Sequence, residues 1–315
     1  LDMPLIVGDE LAPILGAHPG EIAVHDSTTV CLFQLVNVAL DLTGGEVIAI
    51  AATEFPTDRY VIEGIARLRP GVTVRHGLDE LAGVDVVVRS LVDYRTAELH
   101  DLAAETARAR TAGAITVWDL SHAAGVVEVD LAGADVDLAT GCTYKFLNGG
   151  PGAPAFTFVR SELHSQVVQP IWGWFGQQNQ FEMDNPFRAR ADIGRMLNGT
   201  PGILGLTAAR CGIAASAEAG IASIAAKARA LGNYAIDVAD YLGLTCSTAR
   251  PPKSSGGHIS IIHPDATTLQ QQLARRKIIV DKRDPNVLRF GLAPLTTRFV
   301  DVHDGLTALA GMMVE

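Results

Sequence analysis

Residues Val117 to Gly152 read VWDLSHAAGVVEVDLAGADVDLATGCTYKFLNGGPG. An apolar run, Ala114-Ile115-Thr116-Val117-Trp118, enters this stretch and stops at an acid, Asp119, with His122 just beyond it. A second apolar run, Val136 to Ala139, leads to Thr143-Tyr144-Lys145, and Gly149-Gly150-Pro151-Gly152 then forces a turn. Short apolar runs closed by polar residues and glycine read as buried strands whose ends carry the chemistry-bearing side chains.

Working outward toward the N-terminus, Val7 to Leu15 reads as a short amphipathic helix and Ile22 to Val24 as a strand. The strand runs into Asp26-Ser27-Thr28-Thr29, ahead of an apolar helix from Val30 to Leu42. Hydroxyls and free N–H groups at that helix start suit a phosphate; a plain helix cap accounts for the same residues. Glu46 to Ala51 reads as a strand ended by Glu54-Phe55-Pro56-Thr57-Asp58, followed by a helix from Tyr60 to Leu68. Val72 to Arg75 and Val84 to Arg89 are further strands, the second ending at Ser90, and a helix is expected from about Thr96 to Thr111. Strands alternating with helices make a mostly parallel sheet with helices on both faces. Ligands in such sheets bind at the carboxyl ends of the strands, where Phe55, Ser90 and Asp119 converge.

An acid closing a buried strand and a lysine in a tight polar turn suit a pyridoxal phosphate site. The acid keeps the pyridine nitrogen protonated, so that the ring acts as an electron sink, and the lysine amine forms the Schiff base. The lysine must be neutral to attack the aldehyde, and an aromatic or cationic neighbour can lower its pKa. A strand-end acid beside a surface loop and a solvated lysine are the ordinary alternative. Tyr144 suits a phosphate contact or proton transfer as well as packing, and Phe55 suits stacking on a pyridine as well as a core position. Arg289, at the end of a C-terminal strand, has the fork to bind a carboxylate, or pairs with Asp284 or Asp281 at the surface.

Toward the C-terminus, Ala155 to Val159 reads as a strand and Pro170 to Gly202 as a long irregular segment, a type that is usually functional or interfacial. Ile203 to Leu242 reads as two helices broken near Ala219-Gly220 or Leu231-Gly232. A small α+β unit follows, with strands near His258 to Ile262, Ile278 to Asp281 and Val287 to Phe290, and helices at Asp265 to Arg275 and Asp301 to Met313. The expected domains are therefore 1–202, the cofactor-binding domain; 203–243, connecting helices; and 244–315, the small domain.

The 315 residues are 48% hydrophobic and 19% charged, which indicates a well-buried globule. A net charge of −10 and a pI near 5.3 argue against a nucleic-acid or anionic-membrane partner. Cys31, Cys142, Cys211 and Cys246 are scattered without CxxC spacing, which suits free thiols in a reducing cytoplasm. No membrane-spanning run and no signal peptide is legible. The chain contains no GxSxG elbow, GxxxxGK[ST] loop or HExxH pair, and its histidines show no ligand spacing, so no metal site is expected.

The sequence resembles the kynureninase family, fold-type I pyridoxal-phosphate enzymes of the class V aminotransferase superfamily. The match runs from Gly8-Asp9-Glu10 to Ala293-Pro294-Leu295 through Phe55-Pro56-Thr57-Asp58, Trp118-Asp119-Leu120-Ser121-His122, Tyr144-Lys145-Phe146-Leu147-Asn148-Gly149-Gly150-Pro151-Gly152, Gly173-Trp174-Phe175-Gly176 and Arg289-Phe290-Gly291. The resemblance implies that Lys145 carries the cofactor and shuttles the α-proton, that Asp119 pairs with the pyridinium, and that His122 supports the ring's surroundings. It implies that Phe55 stacks on the ring and that Pro56, Thr57, Asp58, Thr28, Thr29, Ser90 and Tyr144 line the cofactor. Trp174 and Thr200 would come from the second subunit of a homodimer, and Arg289 would grip the substrate carboxylate. The implied reaction is hydrolysis of the Cβ–Cγ bond of L-kynurenine or 3-hydroxykynurenine to an anthranilate and L-alanine.

The chain departs from the family pattern at Cys31, where an asparagine is typical, and at Thr296-Thr297. It is expected to be shorter at its N-terminus by about a hundred residues, an arm that would complete the small domain and contact substrate. Another class V enzyme, an aminotransferase or a cysteine desulfurase, and a catalytically silent dimer of the same fold are the competing readings. A desulfurase requires a nucleophilic cysteine on a mobile loop, whereas Cys246 sits in a strand-like run.

Overall fold

Helix α1 (Met3–Leu11) and a 3-10 turn lead to β1 (Ile22–His25), after which helices and strands alternate. They are α2 (Thr28–Thr43), β2 (Val47–Ile50), α3 (Pro56–Leu68), β3 (Thr73–His76), β4 (Val86–Ser90), α4 (Leu102–Thr111), β5 (Ile115–Asp119), β6 (Leu138–Cys142) and β7 (Ala155–Val159). The computed structural model describes residues 2–182, 186–250 and 256–313. The chain divides into two compact units: residues 1–91, 101–124 and 129–218 form the larger, and residues 92–100, 125–128 and 219–315 the smaller.

The larger unit is built on a seven-stranded sheet of order β1-β7-β6-β5-β4-β2-β3. Strands β3, β2, β4, β5 and β6 are parallel, and β7 runs antiparallel to both its neighbours, β6 and β1. The central strands are apolar on both faces because helices cover both. Ile48, Ile50, Val86, Val88 and Val117 pack under Leu32, Leu35 and Val36 of α2 and Ile62 and Ile65 of α3. The alternate residues Ala49 and Val87 face the other way, against Leu78, Leu81 and Ala109 of α4. The buried indole of Trp118 donates to Thr106 Oγ1 on α4 at 3.0 Å, which satisfies its polar atom.

Helix starts bring polar groups to the carboxyl edge of this sheet. Ser27 Oγ caps α2 by accepting from Val30 N, which extends that helix back to Thr28. Helix α3 begins at Pro56, four residues before the expected Tyr60, because proline suits the first helical turn and Asp58 is favourable at its N-terminus. The helix expected from Thr96 starts only at Leu102. Asp93 Oδ1 accepts from Arg95 N, Thr96 N and Thr96 Oγ1 in a side-chain-held turn, and Asp101 then caps α4 through Ala104 N.

Among the described residues of 170–202 the helical element is one short 3-10 turn, Ile193–Met196, yet Phe175, Ile193, Met196 and Leu197 are buried in one cluster with α2. Helix α5 (Ile203–Ala219) closes the larger unit. The chain breaks at Gly220, whose φ of +79° suits glycine, and then runs unbroken through Gly232 in α6 (Ile221–Tyr241).

In the smaller unit, β8 (His258–Ile262), α7 (Ala266–Arg275), β9 (Asp281–Arg283), β10 (Val287–Gly291) and α8 (Phe299–Met313) follow. The antiparallel order is β8-β10-β9, with Ile259, Ile261, Leu288 and Phe290 buried against α6 and α8. The strand expected at Ile278 begins at Asp281, because Lys277 ends α7 in the left-handed region and Ile278 N still bonds back to Leu273 O. No helix among the described residues is long and apolar enough to cross a membrane.

Candidate active site

The ends of β2, β4, β5 and β6 deliver Glu54, Ser90, Asp119 and Lys145 to one edge of the sheet. Asp119 is buried. Its Oδ1 accepts from Ser121 N at 2.8 Å and from Ser121 Oγ at 2.5 Å, and its Oδ2 lies 3.5 Å from Ser90 Oγ. Ser90 stands opposite Asp119 in the β4–β5 register. Glu54 bridges two neighbours: Oε1 accepts from Phe55 N and Oε2 from Ser90 N, both at 3.0 Å.

Asp58 on the first turn of α3 is buried against these acids. Burial, then the carboxylates of Asp119 and Glu54, push its pKa well above the usual carboxylate range, and Lys145 pulls it down. Lys145 is the only lysine in the larger unit. Its Nζ lies 5.9 Å from the Tyr144 ring centroid. The Tyr144 phenol is half-exposed, and burial and the Cys142 thiol push it up to about 12, so it keeps its proton at neutral pH. Burial also pushes the Cys142 thiol up, which leaves it a neutral packing group. Lys145 sits in a turn that needs glycine: Gly150 adopts φ +75°, and a Cβ on Gly149 would lie 2.9 Å from Thr143 O.

The expected residues therefore lie in several places. Asp119, Ser90, Asp58, Lys145 and Tyr144 come together, with Phe55 at the start of α3 ahead of Pro56 and Thr57, and with His122 buried in the turn after β5. Thr28 and Thr29 open α2, and Thr28 Oγ1 is buried with no hydrogen-bond partner among the described residues. Trp174 and Thr200 lie elsewhere in the same chain. Trp174 packs edge-on against Phe175 and Phe181, and Thr200 is exposed, lining a cavity of about 330 Å³ with His25, Asp26 and Asn198. Asn198 Nδ2 donates to Asp26 Oδ2 at 2.7 Å. Arg289 belongs to the smaller unit, where Nη1 donates to Tyr94 O at 2.6 Å and Nη2 pairs with Asp281.

Sequence reasoning passed over Glu54 and Ser121 as site residues. Asp-x-Ser after a strand is the pattern of a side-chain-held turn and pointed to Ser121. Glu54 carried only its position beside a strand end.

The donor set fits pyridoxal phosphate. The acids Glu54 and Asp119, beside an Asp58 that holds its proton more tightly than usual, set a field in which a protonated pyridine nitrogen is favoured, and the Thr28 hydroxyl sits on a helix N-terminus suited to a phosphate.

The fold is shared with a C-DES variant carrying glycine covalently linked to its PLP cofactor (TM-score 0.85, 17% identity, 97% of this chain and 85% of that one). It is the fold of the fold-type I pyridoxal-phosphate enzymes. A family model described as the kynureninase C-terminal domain matches residues 224–309. Kynureninase from Pseudomonas fluorescens is 37% identical over 99% of this chain and 79% of its own length, and that from Deinococcus radiodurans is 38% identical over the same shares. The chain belongs to the kynureninase family.

Proposed function

We propose that this protein hydrolyses the Cβ–Cγ bond of L-kynurenine or 3-hydroxykynurenine, consuming one water and releasing anthranilate or 3-hydroxyanthranilate together with L-alanine, as a cytoplasmic homodimer. The observation that carries the reading is the buried Glu54–Asp58–Asp119 cluster facing Lys145, in a chain with this degree of identity to kynureninases.

When bound to Lys145, pyridoxal phosphate supplies an electron sink that makes the substrate's α-proton removable. The residues of the chain do the rest. Asp119, held by Ser121, would keep a proton on the pyridine nitrogen. Phe55 would stack on the ring, with His122, Asp58 and Ser90 lining it. Thr28 and Thr29 would hold the phosphate at the start of α2, with Trp174 and Thr200 of the partner subunit completing that site. Lys145 Nζ would accept the substrate's α-proton. Water would add to the γ-carbonyl, its oxygen would leave in the anthranilate carboxyl when the Cβ–Cγ bond breaks, and the Tyr144 phenol, protonated up to about pH 12, would donate its proton to Cβ, which becomes the alanine methyl. Arg289 binds the substrate's α-carboxylate.

A desulfurase role is disfavoured because Cys246 is bridged to Ile261 rather than carried on a free loop. Incubation with pyridoxal phosphate and each kynurenine, followed by anthranilate fluorescence, tests the proposal. Turnover of either substrate is expected. Cofactor absorbance without product would contradict the reaction and leave the cofactor; no cofactor absorbance would contradict both.

A further inference from the structure

The smaller unit's sheet carries an unusual polar row. Arg289 on β10 stands directly opposite Ser260 on β8 and Asp281 on β9, so the three side chains project from the same sheet face. Leu288, Phe290, Ile259 and Ile261 occupy the opposite face and fill the core. The Tyr94–Arg95 segment lies along the polar face: Tyr94 O accepts from Arg289 Nη1, and Arg95 O accepts from Ser260 Oγ. Asp281 takes Arg289 Nη2 on the other side of the fork. Its Oδ2 also accepts from Arg283 Nη2 at 2.9 Å.

Burial grades along this row. The Arg289 side chain is 9% exposed and Asp281 44%, so the row opens toward Asp281 and Arg283. A guanidinium recognises a carboxylate bidentately only if its plane is fixed, and Tyr94 O and Asp281 fix it from two sides. Asp281 alone would cancel the charge of Arg289 and repel a second carboxylate. Arg283 restores one net positive charge to the group.

We propose that Asp281 and Arg283 are positioning residues for recognition of the amino-acid substrate's α-carboxylate: Asp281 aims the Arg289 fork, and Arg283 neutralises Asp281 so that a second carboxylate can enter. The inference rests on the reading of Arg289 as the carboxylate-binding residue.

Steady-state kinetics of the cofactor-loaded enzyme with L-kynurenine test it. Asp281→Asn is expected to raise KM about tenfold with kcat within about threefold, since only binding is disturbed. Arg283→Met is expected to raise KM more, about thirtyfold, because Asp281 then faces the substrate unopposed. The double variant should fall back toward the Asp281→Asn value rather than multiply the two effects. Inhibition by the substrate analogue lacking its α-carboxylate should be the same in all variants, which a merely structural role would not produce. Unchanged KM in Arg283→Met, or multiplicative effects in the double variant, overturn the proposal. If Asp281→Asn fails to fold, Arg283→Met and the carboxylate-free analogue decide alone. Arg289→Ala separates the two levels. A raised KM there with unaffected Arg283→Met overturns only this inference, whereas an unchanged KM removes the reading of Arg289 beneath it.

Discussion

The two units assemble charge in opposite ways. In the larger unit, Glu54, Ser90, Asp119 and Lys145 arrive from the ends of four different strands, and the group carries more acids than bases. In the smaller unit, Ser260, Arg289 and Asp281 lie in one cross-strand row, and with Arg283 the group carries more bases than acids. A parallel sheet exposes its strand ends beside helix starts, so one site draws on residues far apart in sequence. An antiparallel sheet instead sets partners directly opposite one another, which suits holding a single fork rigid. The first arrangement suits a cationic ring, and the second is the one proposed to take a carboxylate.

The comparison breaks most completely at the lysine. Lys145→Ala should lower kcat by about 10³-fold or more, because it removes the group proposed both to anchor the cofactor and to move the α-proton. A stopped assay with L-kynurenine measures it, and activity within tenfold of the parent would remove Lys145 from the chemistry. Asp119→Asn should cost about 10²-fold in kcat, the scale of losing one preorganised electrostatic contact, while the cofactor stays bound. Cofactor absorbance recorded beside turnover checks both halves.

The smallest effect sharpens the comparison through stability. Asp58 ionises near about 3.9 in an unfolded chain and well above that when folded. Between those values the folded state holds a proton that the unfolded state has lost, so stability falls as pH rises through the window. Asp58→Asn removes that penalty. The cofactor-free variant should melt about 2–4 °C above the parent at pH 8 and show little difference at pH 4. Equal shifts at both pH values would contradict the assignment.

Much of this was legible in sequence where periodicity and punctuation agree. Apolar runs stopping at Ser90 and Asp119 marked the strand ends, and the turn glycines after Lys145 marked the loop that carries it. Sheet order was not legible, because the reversal of β7 is a matter of non-local pairing with β6 and β1. The helix placed at Thr96 failed because Asp93 offers the backbone a local alternative that periodicity does not register. The described residues of 170–202 are irregular, as read, yet Gln34 of α2 holds Asn198 and, just ahead of the segment, Gln169. The Asp281–Arg289 pairing was weighed as a surface alternative to carboxylate binding; the pair forms across the strands, but with Arg289 buried rather than at the surface.

The most direct test of the central claim is borohydride reduction of the pyridoxal-phosphate-loaded protein followed by peptide mass mapping. A single phosphopyridoxyl adduct is expected on Lys145, lost in Lys145→Ala. An adduct on Lys227, Lys253, Lys277 or Lys282 instead, or specific loading that survives Lys145→Ala, would contradict it.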